Sequence, residues 1–307
     1  MIFLAGDTHG FLPEDLWKIK RFAAQQGAKL TRDDYMIELG DFGVCWVGDP
    51  DKDPSIRKRL EQAKEKRLDD FKLTHNESDL AYLRMALDSE VEAHLTHDKR
   101  ALKFWASMPW TTLFIDGNHE NHPLLNSYPV EEWHGGKVHK IADNVIHLMR
   151  GQVYEIDGHT FFTMGGASSI DKAKRIEGIS WWPEEMPSKE ELQEGMDNLE
   201  KHNFKVDYVL THCAPEQYLK NMGMKSMKKK YDYTPNTLTN FFTYLLTKWN
   251  LEFGHWYFGH YHNDESKGTC PAASFGASLP KKSGANAVSE ISFPRKRADG
   301  TFSTHMN

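Results

Sequence analysis

Metal-ligating and acid–base side chains follow five short apolar segments of this 307-residue chain. In Gly117-Asn118-His119-Glu120, an amide and an imidazole come directly after the apolar residues 113–115. A buried strand usually ends in Gly, Pro, Asp or Ser, so one Asn-His pair alone would indicate only a turn. The repetition of the pattern indicates a common site. Its candidate residues are Asp7, His9, Asp41, Asn118, His119, His212, His260 and His262.

The mixture of donor atoms in these side chains indicates the kind of site. Carboxylate oxygen with imidazole nitrogen suits Mn, Fe, Zn or Ni, whereas Ca and Mg prefer oxygen ligands. The groups are too many for one ion that also holds water, and they suit two ions that share a carboxylate. Two ions about 3.5–4 Å apart can clamp the attacking and leaving oxygens of a phosphoryl group. The pairs Asp7/His9 and His260/His262 are spaced i, i+2, so in an extended segment each pair points to one side.

The apolar segments do not alternate with polar residues, which is typical of strands buried in a parallel sheet. We predict such strands at 2–5, 35–39, 113–115, 208–210 and 256–258. Functional residues of open α/β sheets gather beyond the carboxyl ends of the strands, so we expect the five segment ends to meet. Further strands are predicted at 145–149, 153–156 and 160–164, with turn signals between them. Helices are predicted from Pro13 to Gln26, from a capping box at Ser188 to about His202, and after Thr234-Pro235 with an apolar stripe at Leu238, Phe241, Leu245 and Trp249.

Residues of about 50–110 form a charged stretch with apolar residues at helical spacing, from Leu80 to Leu95. We predict one or two amphipathic helices here, with solvated charged faces or, as the alternative, a contact to a partner or substrate. No internal repeat or low-complexity linker separates this stretch from its surroundings. The prediction is therefore a single domain, 1–307, with a helical insertion at about 50–110.

Composition limits the class of protein. A net charge of −6 gives no general attraction to nucleic acid or membranes. The start reaches Asp7 after four apolar residues, too few for a signal peptide, and no apolar run is long enough to cross a bilayer. The three cysteines show no metal-site spacing, which fits a reducing compartment. We expect a cytoplasmic protein without a membrane partner, and the oligomeric state stays open.

The ordered motifs Asp7-Thr8-His9, Gly40-Asp41, Gly117-Asn118-His119-Glu120, Thr211-His212 and Gly259-His260-Tyr261-His262 resemble those of the calcineurin-like metallophosphoesterases. The resemblance runs from residue 6 to residue 262. It implies a four-layer α/β-β/α sandwich around a dinuclear centre, with Mn as the first choice of metal. It further implies a metal-dependent phosphoester hydrolase, in which a metal-bridging hydroxide attacks the phosphorus of a phosphomonoester or phosphodiester.

The resemblance also implies a role for each motif residue. Asp7, His9 and His262 would hold one ion, Asn118, His212 and His260 the other, and Asp41 would bridge them. His119 would be the catalytic residue that stabilises or protonates the leaving oxygen, acting as an imidazolium beside a carboxylate that the sequence does not identify. The role of Glu120 is left as local. His122, His134, His139 and His255 match none of these motifs and are expected at the surface or at the edge of the core.

The chain departs from the protein Ser/Thr phosphatases of that family. Those enzymes carry Asp-Arg-Gly shortly after the bridging Asp, where this chain has Val44-Cys45-Trp46. A phosphorylated small molecule or nucleotide is therefore the expected substrate, and Lys172 and Arg175 are either substitute phosphate ligands or surface charges. Trp46, Trp181 and Trp182 either line the cleft or pack in the core. Two alternatives remain: a nuclease, favoured by the basic cluster at 225–230 and opposed by the net charge, and a metal-binding interaction module without catalysis.

Overall fold

The computed structural model describes residues 1–10, 13–26, 29–72, 76–216, 218 and 236–261, and within them the chain has a mixed α/β fold with two sheets. The strands are β1 (Ile2–Ala5), β2 (Tyr35–Leu39), β3 (Thr111–Ile115), β4 (Val130–Trp133), β5 (Gly136–Ala142), β6 (Val145–Leu148), β7 (Gln152–Ile156), β8 (His159–Met164), β9 (Lys205–Thr211) and β10 (Glu252–Phe258). The helices are α1 (Pro13–Gln26), α2 (Ser55–Lys72), α3 (Glu77–Ala106), α4 (His122–Leu125), α5 (Lys189–Lys201) and α6 (Thr237–Thr247). Short 3₁₀ turns occupy Lys172–Lys174 and Pro183–Glu185.

Sheet A has the order β1-β2-β3-β6-β5-β4, and sheet B has the order β10-β9-β8-β7. Strands β1, β2, β3 and β6 are parallel, as are β10, β9 and β8, while β4, β5 and β7 pair antiparallel. Register aligns the carboxyl ends: Leu39 lies opposite Ile115 in sheet A, and Thr211 lies opposite both Met164 and Phe258 in sheet B. The eight strands predicted above and the predicted helix at 13–26 are confirmed. The largest differences in bounds are at the amino ends of β9 and β10, which begin three and four residues earlier than predicted.

Three hydrophobic clusters lie around the two sheets. One is built by both sheets and lies between them, with Leu4 and Leu113 from sheet A and Phe161 and Leu210 from sheet B. The second packs α1 and α3 against sheet A. The third packs α5 and α6 against sheet B. Each sheet has a hydrophobic cluster on both faces because its parallel strands are apolar on both faces and need a partner layer on each side.

The charged stretch at about 50–110 forms the two helices α2 and α3, as predicted. Helix α3 begins after Asn76, whose side chain accepts a hydrogen bond from the Asp79 backbone N–H. Leu87, Val91 and Leu95 are buried on one face of α3. The carboxyl end of α3 enters the core of sheet A through Ala101 and Trp105. The insertion is therefore packed onto the body of the protein and contacts it along its final turns.

The antiparallel hairpin of β4 and β5 has no counterpart in the sequence predictions. Strand β4 reads Val-Glu-Glu-Trp and is mostly exposed, so it carries no apolar alternation and depends on pairing with β5. Asn236 caps α6, because its side chain accepts hydrogen bonds from the N–H groups of Leu238 and Thr239. Trp249 lies beyond the end of α6 and is 50% exposed, so it does not belong to the buried stripe.

No helix in the part of the chain that the structure describes is long and apolar enough to cross a lipid bilayer.

Candidate metal centre

The ends of the two sheets bring most of the predicted ligands together. The ligand atoms of His9, Asp41 and His119 lie within 4.8 Å of one another, and so do those of Asp41, His212 and His260. Asp41 belongs to both groups, which is the position predicted for a bridging carboxylate. Because Asp41 follows a strand of sheet A, and His212 and His260 follow strands of sheet B, the centre lies at the carboxyl ends of strands from both sheets.

Two further predicted ligands border these groups. Both carboxylate oxygens of Asp7 accept a hydrogen bond from the His260 backbone N–H, with N···O distances of 3.0 Å. The side-chain oxygen of Asn118 lies 3.3 Å from Nε2 of His212. His262 lies outside the described residues, as do the basic cluster at 225–230 and residues 263–307.

The backbone at the centre adopts an uncommon conformation. Asp7, His9, Asp41 and His260 all have positive φ, at 57°, 48°, 50° and 69°. A side chain with a Cβ rarely adopts this left-handed region, and such residues concentrate where the surrounding structure requires a particular side-chain direction. Four candidate ligands with this conformation are an indication of a functional site that is independent of the sequence motifs.

Glycines directly precede four of the candidate ligands, Asp7, Asp41, Asn118 and His260, and the chain segments approach one another closely there. Gly40 has φ +88°, and a Cβ on it would overlap the ring of His212. A Cβ on Gly117 would overlap the Asp41 carboxylate and would lie 2.8 Å from Nε2 of His212. The Gly-Asp and Gly-Asn pairs of the sequence are therefore needed for the strand ends to converge.

The charge of Asp41 is balanced by imidazoles. Its oxygens lie 3.2 Å from Nε2 of His212, 3.9 Å from Nε2 of His119 and 4.0 Å from Nε2 of His9. Burial opposes ionisation of Asp41, but these imidazoles outweigh it and hold the pKa of the carboxyl well below its usual range. Burial likewise opposes protonation of His212, yet the Asp41 carboxylate raises the pKa of this imidazole to about 10. The centre thus favours positive charge beside Asp41.

Glu120 is a second buried carboxyl at the centre, and the sequence assigned it no role beyond a local one. One of its oxygens accepts hydrogen bonds from the N–H groups of Phe42 and Gly43 at 2.7 and 3.2 Å. The other accepts one from Gly117 at 2.6 Å. Burial, with Asp41 nearby, raises the pKa of Glu120 to about 8. Glu120 therefore ties the loop after β2 to the loop after β3, next to Asp41.

Asn118 is oriented by residues from the loop after β8, which sequence reasoning did not single out. Its side-chain N–H₂ donates to the hydroxyl oxygen of Ser169 at 3.1 Å. The Ser169 backbone N–H in turn donates to the buried carboxylate of Glu185 at 2.9 Å. These contacts point the amide oxygen of Asn118 towards His212. The position of Ser169 in the loop that follows the carboxyl end of β8 was the available signal.

His119 contacts Arg175 and the indole ring of Trp46. The guanidinium Nη atoms of Arg175 lie 3.1 and 3.0 Å from the two ring nitrogens of His119, and Trp46 stacks on the imidazole with centroids 5.7 Å apart. Trp182 packs edge-on against Trp46. Burial lowers the pKa of His119 to about 4, although Asp41 acts in the opposite direction. This surrounding favours a neutral imidazole, unlike the imidazolium expected from the sequence, and Arg175 is the cation beside it.

The two candidate substrate cations have different positions. Arg175 reaches the centre and is held there by Asp171 at 2.6 Å and by the Ser180 carbonyl at 3.1 Å. Lys172 is exposed, and its ammonium lies 5.8 Å from the centroid of Trp181. The structure therefore brings Arg175, and not Lys172, into contact with a predicted catalytic residue.

A buried ionic group lies behind the centre. Asp116, the residue after β3, accepts hydrogen bonds from Nε and Nη2 of Arg150 at 2.9 and 2.5 Å and lies 3.3 Å from His147. His122 and His139, expected from the sequence at the surface or core edge, are buried to 2% and 1% exposure. His122 Nδ1 lies 3.7 Å from the Asp116 carboxylate, and His139 stacks on His147. The prediction for both histidines was wrong because neighbours distant in sequence enclose them.

The residues present fit divalent metal ions. Carboxylate, amide and imidazole donors converge, one carboxylate belongs to two ligand groups, and the field raises the pKa of a buried histidine. Imidazoles and carboxylates are ordinary ligands of Mn, Fe, Zn and Ni.

Comparison of the chain with known protein families and with curated proteins gave no match in either case.

Proposed function

We propose that this protein is a metal-dependent phosphoester hydrolase of the calcineurin-like kind. The observation that carries the proposal is the pair of ligand groups that share Asp41 at the carboxyl ends of the parallel strands. The two sheets, with helices packed on the outer face of each, agree with the four-layer sandwich expected from the resemblance. The comparisons add no support, so the proposal depends on the site.

The chain's own residues would hold two divalent ions, Mn being the first candidate. Asp7, His9 and His262 are the proposed ligands of one ion and Asn118, His212 and His260 those of the other, with Asp41 between them. When bound, such ions neutralise charge on the phosphoryl oxygens and activate water near neutral pH. Asn118 contributes a neutral oxygen, which limits how far the ligands offset the positive charge of the metals.

His119 and Arg175 border the centre and would act on the departing side of the substrate. The planar guanidinium of Arg175 suits two oxygens of a phosphate. His119 lies within hydrogen-bonding distance of that guanidinium, so a phosphate oxygen near one would be near the other. Trp46 stacks on the His119 imidazole at this side of the centre.

Activity against model esters tests the proposal. Purified protein with Mn²⁺ is assayed on p-nitrophenyl phosphate, bis-p-nitrophenyl phosphate and single-stranded DNA. We expect metal-dependent turnover that Asp41→Asn abolishes, because the shared carboxylate is lost, and that His119→Asn lowers about 10²–10⁴-fold. The ratio between the first two substrates separates a monoesterase from a diesterase, and cleavage of DNA would indicate the nuclease alternative.

Exposed residues provide matched controls. Asp143→Asn and His202→Asn make the same chemical changes at exposed positions and should retain full activity. Titration calorimetry with Mn²⁺ separates the remaining alternative: a protein that binds metal through Asp41 but is inert on all three substrates is an interaction module. Full activity of Asp41→Asn would contradict the proposal.

A further inference from the structure

A cavity of about 550 Å³ lies between the helical insertion and the segment at 173–180. Leu60 on α2, Val91 on α3 and Ile179 on the segment form parts of its apolar wall. Its size falls within the range of about 300–1,000 Å³ that is usual for small-molecule sites.

Arg175 connects this cavity with the candidate metal centre. Its side chain lines the cavity, and its guanidinium also contacts both ring nitrogens of His119 at 3.0 and 3.1 Å. The cavity is therefore adjacent to the His119 side of the centre. If His119 acts on the leaving oxygen, the group attached to that oxygen extends past Arg175 and into the cavity.

The lining indicates which group would fit. Apolar side chains from three elements alternate with charged ones, and the four basic residues outnumber the two acidic ones although the whole chain carries a net charge of −6. The basic residues are Lys64, Lys66, Arg67 and Arg175, and the acidic ones are Asp70 and Glu90. Carboxylates outside the lining pair with two of the basic residues, Lys64 with Asp88 at 3.0 Å and Arg175 with Asp171 at 2.6 Å. Arg67 is fixed at the wall by Glu90, with Nη1 at 2.9 and 3.0 Å from the two carboxylate oxygens, and a guanidinium has five N–H donors.

We propose that this cavity binds the leaving group of the substrate and that this leaving group is a nucleotide. The base would pack on the apolar wall and the phosphate would meet the basic residues. A sugar phosphate has no apolar surface for the wall, and a lipid chain has no anion for the two lysines and two arginines. This inference rests on the proposed function for the position of the reacting phosphorus. In the reaction, water adds to phosphorus, the P–O bond to the nucleotide breaks, and the released nucleotide oxygen takes up a proton.

Filling the cavity tests where the nucleotide binds. Ala63 lines the cavity on α2, and Ala63→Trp would occupy part of its volume. Ala81→Trp, at an exposed position of α3 outside the cavity lining, is the matched control. Adenosine 3′,5′-bisphosphate is the probe, because its leaving group is a nucleotide whichever phosphate reacts. We expect Ala63→Trp to lower kcat/KM for this probe at least about 10-fold, a loss that corresponds to one good contact, and Ala81→Trp to behave as wild type.

Removing the charge of Arg67 tests whether the cavity binds the phosphate of the leaving group. Arg67→Gln breaks the ion pair with Glu90 at the cavity. Arg57 lies on the same helix as Arg67 but outside the cavity lining, and Arg57→Gln breaks its equivalent ion pair with Glu92. We expect Arg67→Gln to lower kcat/KM about 10-fold for adenosine 3′,5′-bisphosphate, the size of one charge-assisted hydrogen bond. The loss should be much smaller for adenosine 5′-monophosphate, whose leaving group has no phosphate. Arg57→Gln should behave as wild type on both.

The outcomes for the cavity and for hydrolysis are separable. Binding of adenosine 3′,5′-bisphosphate is measured by calorimetry on the wild type and on Ala63→Trp in parallel with turnover. Binding that Ala63→Trp weakens supports the cavity even if no ester is hydrolysed, in which case only the proposed function fails. Absence of binding, or equal effects of Ala63→Trp and Ala81→Trp, overturns the inference even if p-nitrophenyl phosphate is a good substrate.

Discussion

The carboxylate of Asp41 accepts hydrogen bonds from the backbone N–H groups of Asn118 and His119, at 2.9 and 2.8 Å, and also lies beside three imidazoles. These donors fix the carboxylate before any ligand binds. Rigid placement of this kind reduces the reorganisation that metal binding and catalysis would otherwise require. At the scale of single residues, the centre depends as much on the groups that orient the ligands as on the ligands themselves.

Ser169 is the clearest of these orienting residues. Ser169→Ala removes the acceptor of the Asn118 side-chain N–H₂, so the amide oxygen is no longer directed towards His212. Loss of such an outer contact typically lowers metal affinity about 10–100-fold, and we expect Mn²⁺ affinity to fall by about 10-fold. Titration calorimetry on metal-free protein measures it. Ser168→Ala, at the half-buried neighbouring position, is the control, and equal affinities of the two variants would exclude the orienting role.

At the scale of elements, α3 connects the insertion with the centre. Asp98 on α3 accepts hydrogen bonds from the backbone N–H groups of Trp46, Val47 and Gly48, at 3.0, 3.0 and 2.7 Å. Trp46 then stacks on His119. The insertion therefore forms one wall of the proposed cavity and also holds the tryptophan that closes the centre.

Asp98→Asn tests this connection. The amide keeps one oxygen but loses the charge that strengthens all three hydrogen bonds, and hydrogen bonds to charged groups are worth about 1.5–3 kcal/mol each. We expect the free energy of unfolding to fall by about 2 kcal/mol, and acrylamide to quench the fluorescence of Trp46 more strongly. Asp88→Asn makes the same change on α3, where Asp88 pairs with Lys64 near the surface. It should alter the free energy of unfolding and the quenching much less. Unchanged quenching in Asp98→Asn would show that α3 does not hold the tryptophan.

At the scale of the whole molecule, buried histidines make stability depend on pH. Burial, with His147 alongside, lowers the pKa of His139 to about 4, and burial, with Arg150 alongside, lowers that of His122 to about 3. An unfolded histidine has a pKa of about 6.5. Between about pH 6.5 and 4 the unfolded chain therefore binds protons that the folded protein does not, and stability falls as the pH falls.

His139→Gln should remove part of this dependence. In the wild type, we expect protonation of unfolded His139 alone to lower the free energy of unfolding by about 2 kcal/mol between pH 7.5 and pH 5. Urea unfolding at the two pH values measures the difference, which should be smaller in His139→Gln. His202→Gln, at an exposed position, should show the wild-type difference. If His139→Gln and wild type lose the same stability, His139 is protonated in the folded protein.

Much of the fold was predictable from local patterns. Short apolar segments predicted the parallel strands, and the capping box at Ser188 predicted the start of α5, where the Ser188 and Glu191 side chains each bond the other's backbone. The hairpin of β4 and β5 was not predictable in this way, because β4 is an exposed edge strand held by pairing. For the site, the residues at strand ends were predictable because parallel strands place their carboxyl ends together.

The sequence by itself determined the residue types at five strand ends and the glycines that let these ends meet. The mixture of carboxylate and imidazole donors at these ends is the basis on which the sequence predicted a metal site. Only the tertiary structure decided that Arg175 contacts His119, that Ser169 and Glu185 orient Asn118, and that the insertion encloses a cavity beside them. The physical reason is that strand ends follow from local periodicity, whereas the direction and burial of a side chain depend on neighbours brought close by packing.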